Sequence, residues 1–206
     1  PDIQSDTLIY SALIEHGFRR SGTHIYRPQC DDCQSCISVR VPVELFLPNK
    51  NQRRSLKKLS QFQQNTQSAS YSKMHYQLFD KYLRERHSDG DMYPTSKEQF
   101  ESFLLADWLN CRFLNFFDIK SQQLVACCVF DQVENGLSAV YTFFDPNYAK
   151  FGLGKLAILE LITLAKTSGL PYVYLGYWIK ESQKMAYKGD YRPLECFIED
   201  RWILIN

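Results

Sequence analysis

The sequence predicts a mixed fold, α+β in its antiparallel part and α/β where a helix crosses between strands. A sheet flanked by helices is joined by a small N-terminal cysteine-containing lobe. Three observations carry this reading. Arg112 to Ile119, Leu124 to Asp131 and Leu137 to Phe144 are consecutive runs rich in β-branched and aromatic residues. Leu153 to Lys166 has the pattern of a long amphipathic helix and is followed by a short apolar strand, Pro171 to Gly176, as in a parallel pair joined by a helical crossover. Cys30-x-x-Cys33-x-x-Cys36 lies in a turn-rich segment ahead of both. The 206 residues, 45% of them apolar, suit one compact domain or two small lobes, drawn here as 1–60 and 61–206.

The elements follow in order. Residues 7–17 read as a short helix, with Leu8, Ile9, Ala12 and Leu13 at helical spacing and Gly17 as its stop. A glycine turn at Gly22 leads to His24-Ile25-Tyr26. Ile37 to Val43 alternates as a strand. Pro48 to Lys58 opens a basic helix, and the polar stretch Gln61 to Ser72 is expected to connect the lobes. Tyr71 to His87 reads as a helix with Met74, Leu78, Phe79 and Tyr82 inward. Thr95 and Glu98 have capping-box spacing, ahead of an apolar stripe of Phe100, Phe103, Leu104 and Trp108. The three strands, the glycine loop, the long helix and its strand come next, and a single strand from Cys196 to Ile205 closes the chain.

Charge narrows the class of partner. The net charge is only +1, yet Lys50, Arg53, Arg54, Lys57, Lys58 and Lys73 fall between Leu45 and Phe79 with no acid among them. A polyanion fits there, as does a solvated helix face. No apolar run reaches the roughly 18 residues of a membrane span. The start Pro1-Asp2-Ile3-Gln4 lacks the basic and apolar regions of a signal peptide. A cytoplasmic protein without a membrane partner is therefore expected. Of seven cysteines, Cys111, Cys127, Cys128 and Cys196 sit in strand-like surroundings and read as buried free thiols.

Two motifs point to chemistry. Lys150-Phe-Gly152-Leu-Gly154 places glycines ahead of a helix, where backbone N–H groups can approach an anion. It resembles the pyrophosphate loop of GNAT N-acetyltransferases, except that Ala149 stands where that pattern has Gln or Arg. A tight helix-entry turn is the plainer reading. Cys30, Cys33 and Cys36 have ligand-like spacing but leave a tetrahedral site one ligand short. Reduced thiols in a turn compete there with a structural zinc or iron–sulfur cluster; the expected chemistry requires neither.

A broader resemblance spans almost the whole chain. Gly17-Phe-Arg-Arg-Ser-Gly22, Tyr26-x-Pro28-x-Cys30-x-x-Cys33-x-x-Cys36, Arg40-Val41 and Asn51-Gln52-Arg53-Arg54 are similar to the N-terminal part of the arginyl/leucyl-tRNA–protein transferase family. Met92-Tyr93-Pro94, Tyr141-Thr-Phe-Phe-Asp-Pro146, Leu175-Gly-Tyr-Trp-Ile179 and Ser182-x-Lys184-Met185-x-Tyr187-Lys188-x-x-Tyr191-x-Pro193 follow in family order. The glycine loop departs from the family's usual Arg-Ser-Leu-Gly. The resemblance implies a GNAT-like catalytic lobe at 61–206 and acceptor recognition at 1–60. It implies leucyl-tRNA as donor, proteins beginning with Asp or Glu as acceptors, and a role in N-end rule degradation. Arginyl transfer and acetyl-CoA-dependent acetylation are the alternatives.

The reaction needs a neutral amine, stabilisation of a tetrahedral oxyanion and a proton for the leaving ribose oxygen. An α-amine with a pKa of 7.7–8.0 is roughly one tenth neutral at pH 7. Asp145, at a strand end, is expected to hold or deprotonate it, with Tyr187 and Lys188 donating to the oxyanion, ribose or phosphate. Arg20 first, then Arg19 and Arg40, are candidates for the acceptor's carboxylate, on the view that adjacent arginines cannot both face inward. Tyr141, Tyr177, Ser182 and Lys184 are placed in the same groove. Lys50, Arg53, Arg54, Lys57, Lys58, Lys150, Gly152 and Gly154 are assigned to tRNA.

Overall fold

The computed structural model describes residues 7–31 and 33–206, so the expectation for the first four residues lies outside the described residues. Helix α1 (Thr7–Glu15) precedes a short hairpin of β1 (Arg19–Ser21) and β2 (His24–Tyr26). Then come β3 (Ile37–Pro42), α2 (Lys50–Leu56) and β4 (Phe62–Ser68). Helices α3 (Lys73–Arg86) and α4 (Lys97–Leu104) lead to β5 (Asn110–Asp118), β6 (Leu124–Val133) and β7 (Gly136–Phe144). Helix α5 (Leu153–Thr167), β8 (Tyr172–Trp178), β9 (Leu194–Ile198) and β10 (Arg201–Ile205) complete the chain.

Eight strands form one sheet in the order β10-β9-β3-β8-β7-β6-β5-β4. Every neighbouring pair is antiparallel except β7 and β8, which α5 joins in parallel. Nine of the ten β6 residues are buried because both sheet faces are covered. On one face α5 packs Leu156, Leu159, Leu161 and Ile162 against Val125, Cys128 and Phe130. On the other, α1, α3 and α4 bring Tyr10, Phe79, Leu83 and Phe100 onto Cys127, Val129 and Phe143. Each such side chain contributes about 1.5–3 kcal/mol on burial. Among the described residues no helix is long and apolar enough to cross a membrane.

Several expectations change. Gln61 to Ser72 is no connector, because β4 runs through it, paired with β5 from Phe62↔Asp118 to Ser68↔Arg112. As an edge strand it buries only Phe62 and carries otherwise polar side chains, which hides it from an apolar pattern. A boundary at residue 60 would cut through the sheet, since β3 lies between β9 and β8. The last strand is a hairpin, turning at Glu199 and Asp200 with φ of 49° and 55°. The cap of α4 is Ser96, which accepts from the Gln99 N–H at 3.1 Å, in place of Thr95. Met74 is 45% exposed, while Leu78 and Phe79 are buried as expected.

Candidate active site

The site begins where two parallel strands part. β7 and β8 pair over Gly136↔Tyr172, Leu137↔Val173 and Ser138↔Tyr174, and over no residue beyond. Both strands carry an irregularity at that point. Val140 has no opposite residue on β6, because Tyr141 pairs with Val129 and Ala139 with Phe130. Leu175 has none on β3, because Gly176 pairs with Val39 and Tyr174 with Arg40. An extra residue bends its strand and sharpens its twist. Two bends at one level open a gap between Ala139–Phe144 and Leu175–Trp178. Gly176 serves this bend with φ of +80°, and a Cβ there would lie 3.4–3.6 Å from the Arg19 guanidinium.

Parting leaves backbone groups without a neighbouring strand, and two cations take up carbonyls there. Arg19 donates from Nη2 to Ala139 O on β7. Lys188 donates to Tyr177 O on β8 at 2.6 Å. They arrive from different faces. The β1–β2 hairpin that carries Arg19 is anchored to α4, where the Gly22 N–H donates to Phe103 O at 3.0 Å. A Cβ at Gly22 would meet Ser102 O at 1.9 Å, so only glycine allows this approach. Lys188 rides a 3₁₀ turn, Ala186–Asp190, on the α5 face, held by Trp178 Nε1 to Ala186 O and Gln52 Nε2 to Asp190 O. Burial, with Arg19's charge in second place, pushes Lys188 down to about 8.

The other expected residues divide. Arg20 is corrected from carboxylate reader to a structural pair: its Nε and Nη2 each lie 2.6 Å from an Asp131 oxygen, with no side-chain exposure on either partner. Arg40 is likewise committed, to Glu15 and Glu195 at 2.6 Å each, and stacks over Tyr172 and Trp202. Arg19 and Arg20 do both face inward, because helix and sheet cover both faces of the two-strand hairpin. Asp145 has both oxygens engaged: Lys81 lies at 2.8 Å and the Asn147 N–H at 2.9 Å. It holds the turn that leads into α5, with both oxygens already in contact with a partner. Tyr141 is half-buried and packs against Phe79, Tyr82 and Phe103 at the edge of the core. The Tyr177 hydroxyl donates toward Gly17 O and Tyr26 O, which ties the N-terminal hairpin to β8.

Tyr187 is 43% exposed on the same turn as Lys188. The Ser182 carbonyl accepts from Met185 and Ala186 to start that turn. Lys184 is exposed and lies within electrostatic reach of His87, on the last turn of α3, whose pKa is lowered first by burial and then by Lys184. The gap itself was missed in the sequence; its signal was a glycine inside an apolar strand, Gly176.

Lys50, Arg53, Arg54 and Lys57 are exposed. Lys58 donates to Lys150 O at 3.0 Å, which joins this basic face to the loop before α5. Gly152 and Gly154 have open space around them. Cys30 and Cys33 are exposed and Cys36 half-buried, beside a cleft of about 650 Å³ that also takes in Arg27, Tyr177 and Phe197. Hydrogen bonds from Ser35 lower the Cys33 thiol. Among the described residues no three His, Cys, Asp or Glu side chains converge as a metal site.

A mixed sheet whose parallel pair parts in front of a helix N-terminus is a GNAT-like fold, and solved structures share its fold. The chain superposes on the structure of L-PGS from Bacillus licheniformis with a TM-score of 0.53 and 13% identity, over 69% of this chain and 45% of that one. It superposes on FemX with a TM-score of 0.52 and 8% identity, over 85% and 61%. Family models described as "Arginine-tRNA-protein transferase", N terminus and C terminus, match residues 1–54 and 74–198. The aspartate/glutamate leucyltransferase of Saccharophagus degradans is 48% identical over 203 residues, 98% of this chain and 86% of that protein. Those of Teredinibacter turnerae and Pseudomonas aeruginosa are 47% and 46% identical over all of this chain and 84% and 87% of theirs. The chain belongs to the arginine-tRNA-protein transferase family.

Proposed function

We propose that the chain transfers leucine from leucyl-tRNA to the N-terminal amine of proteins beginning with Asp or Glu, in the cytoplasm, marking them for N-end rule degradation. The observation that carries this reading is the gap between β7 and β8, with Lys188 on one wall, in a chain similar along its whole length to proteins named leucyltransferases. The choice of leucine over arginine rests on those relatives.

The donor ester is already activated, so no covalent enzyme intermediate is needed. The acceptor nitrogen attacks the ester carbonyl carbon. A C–N bond forms, the bond from carbon to the ribose oxygen breaks, and the nitrogen gives one proton to solvent. The leaving oxygen takes one proton. Lys188, held as an ammonium whose pKa is pushed to about 8, is a stronger acid than an exposed lysine and supplies it. Its N–H groups also face the developing oxyanion, and Tyr187, whose pKa is raised first by burial, lies one residue away. Asp145 positions Lys81 and the entry to α5 without touching the reacting atoms. The basic face from Lys50 to Lys58, continued by Lys150, carries the tRNA.

The test supplies leucyl-tRNA, arginyl-tRNA and acetyl-CoA separately with peptides beginning with Asp, Glu or Asn, and reads product mass. A leucine added to the acidic peptides alone is the expected product. An arginine or an acetyl group in its place overturns the reading.

A further inference from the structure

Three arginines, Arg19, Arg20 and Arg40, are only 5–6% exposed. Burying a guanidinium is costly unless an anion accompanies it. Arg20 has Asp131, and Arg40 has Glu15 and Glu195. No carboxylate among the described residues pairs with Arg19; it donates to one carbonyl, Ala139 O, and its buried Nη1 has no partner. Two further polar atoms lie buried nearby, Ser138 Oγ at the last paired position of β7 and the Tyr10 hydroxyl; they interact with each other, and the hydroxyl is within electrostatic reach of Arg19. The second cation of the gap, Lys188, is also held by a carbonyl alone. Two cations and no anion converge where the strands part.

We propose that Arg19 reads the acceptor: the side-chain carboxylate of an N-terminal Asp or Glu docks on its free Nη1–H at the floor of the gap, with Lys188 as the second cation. This rests on the transfer reading above and assigns its specificity to one residue. A planar carboxylate matches the guanidinium edge, and the neutral amides of Asn and Gln would leave it uncompensated. A tRNA phosphate is a poorer occupant. It is a diester flanked by two riboses, whereas a carboxylate ends a slender side chain and can reach between strands.

The test measures equilibrium binding of Asp-, Glu- and Asn-initiated peptides to the full chain by calorimetry, alongside leucyl-tRNA binding and transfer kinetics. The wild type is expected to bind acidic peptides on the order of 100-fold tighter than Asn peptides. Arg19→Gln removes most of that ratio by weakening the acidic peptides. Equal weakening of Asp and Asn peptides overturns the assignment, and so does a loss confined to leucyl-tRNA, which would mark a phosphate contact. Should Arg19→Gln not fold, Arg19→Lys decides. It keeps a cation but loses the planar fork, so the ratio drops at least about fivefold; an unchanged ratio overturns the proposal. An Arg19-dependent preference without leucyl product would sink the transfer reading and leave this site standing.

Discussion

Arg19 and Lys188 hold opposite walls of one gap, the first on the Ala139 carbonyl of β7 and the second on the Tyr177 carbonyl of β8. Sheet strands ordinarily satisfy such groups with one another. Here the strands bend apart at Val140 and Leu175–Gly176, and cations from different faces of the sheet replace the missing ladder. The same replacement gathers positive charge in the gap.

With Lys188 as the proposed proton donor, its lowered pKa is expected to set the alkaline limit of the reaction. The acceptor amine must be neutral, which raises activity as pH climbs toward its pKa of about 7.7–8.0. Lys188 must be protonated, which lowers activity above about 8. The profile of kcat/KM against pH is therefore expected to be a bell near pH 8. Lys188→Arg should move the falling limb upward by more than one unit while lowering the maximum, since a guanidinium is a weak acid. A falling limb that stays in place in this variant would remove Lys188 as the proton donor.

Arg20 and Asp131 make the opposite case, a buried pair that stabilises only while both partners are present. Asp131→Ala leaves a dry, unpaired guanidinium and is expected to cost about 3–5 kcal/mol in denaturant unfolding. Arg20→Met with Asp131→Leu should recover most of that loss, because apolar replacement of both partners removes two desolvation penalties. Asp131 also faces Cys111, whose thiol is pushed to about 12 first by burial and next by this carboxylate. Failure of the double variant to recover would mean that packing at Cys111 and Leu104 depends on the pair itself.

What the sequence made legible follows from burial. Strands β5, β6 and β7 and helix α5 are apolar because they line two cores, so composition alone locates them. The parallel crossover into β8 was readable for the same reason. β4 was not, because an edge strand of Gln, Asn and Thr is held by its ladder and carries little apolar signal. The Glu199–Asp200 turn lacks the Asn-Gly signature of a tight hairpin, so β9 and β10 looked like one strand. At the site, the sequence named all three buried arginines but could not say which had partners. Asp131, Glu15 and Glu195 lie 111, 25 and 155 residues away from the arginines they neutralise, and only the fold brings them together.

His75 links pH to stability. It is 1% exposed, with Nε2 3.0 Å from Asn115 Oδ1 and Nδ1 2.6 Å from Ser72 Oγ, and burial pushes its pKa below the usual value, partly offset by Asn115. The folded state therefore resists protonation more than the unfolded chain, whose histidine titrates near 6.5. Stability is full above about pH 6.5 and declines as pH falls below it, down to the folded pKa. His75→Gln keeps an amide donor toward Asn115 and carries no proton. Between pH 7 and 5 the unfolding free energy of wild type should fall more steeply than that of the variant, by up to about 1.4 kcal/mol per pH unit. Parallel curves would show that His75 titrates alike in the folded and unfolded chain.

The basic face around α2 is testable through salt. Arg53 and Arg54 are exposed on a helix whose start is fixed by a reciprocal cap between Asn49 and Gln52, with the Arg53 guanidinium also tied to Pro48 O at 2.6 Å. Each phosphate they neutralise releases counterion, so log affinity for leucyl-tRNA should fall with log salt concentration by about 0.7–0.9 per contact. Reversing both charges, Arg53→Glu with Arg54→Glu, is expected to weaken binding at least about tenfold at physiological salt and to reduce the slope by about 1.4–1.8. An unaltered slope would place the tRNA elsewhere. The helix has a second connection that makes the experiment informative about turnover: buried Gln52 donates to Asp190 O, at the end of the turn that carries Lys188. If tRNA docking steadies that turn, Gln52→Ala should lower kcat with leucyl-tRNA affinity held within about threefold, the split expected when an interaction matters only in the transition state.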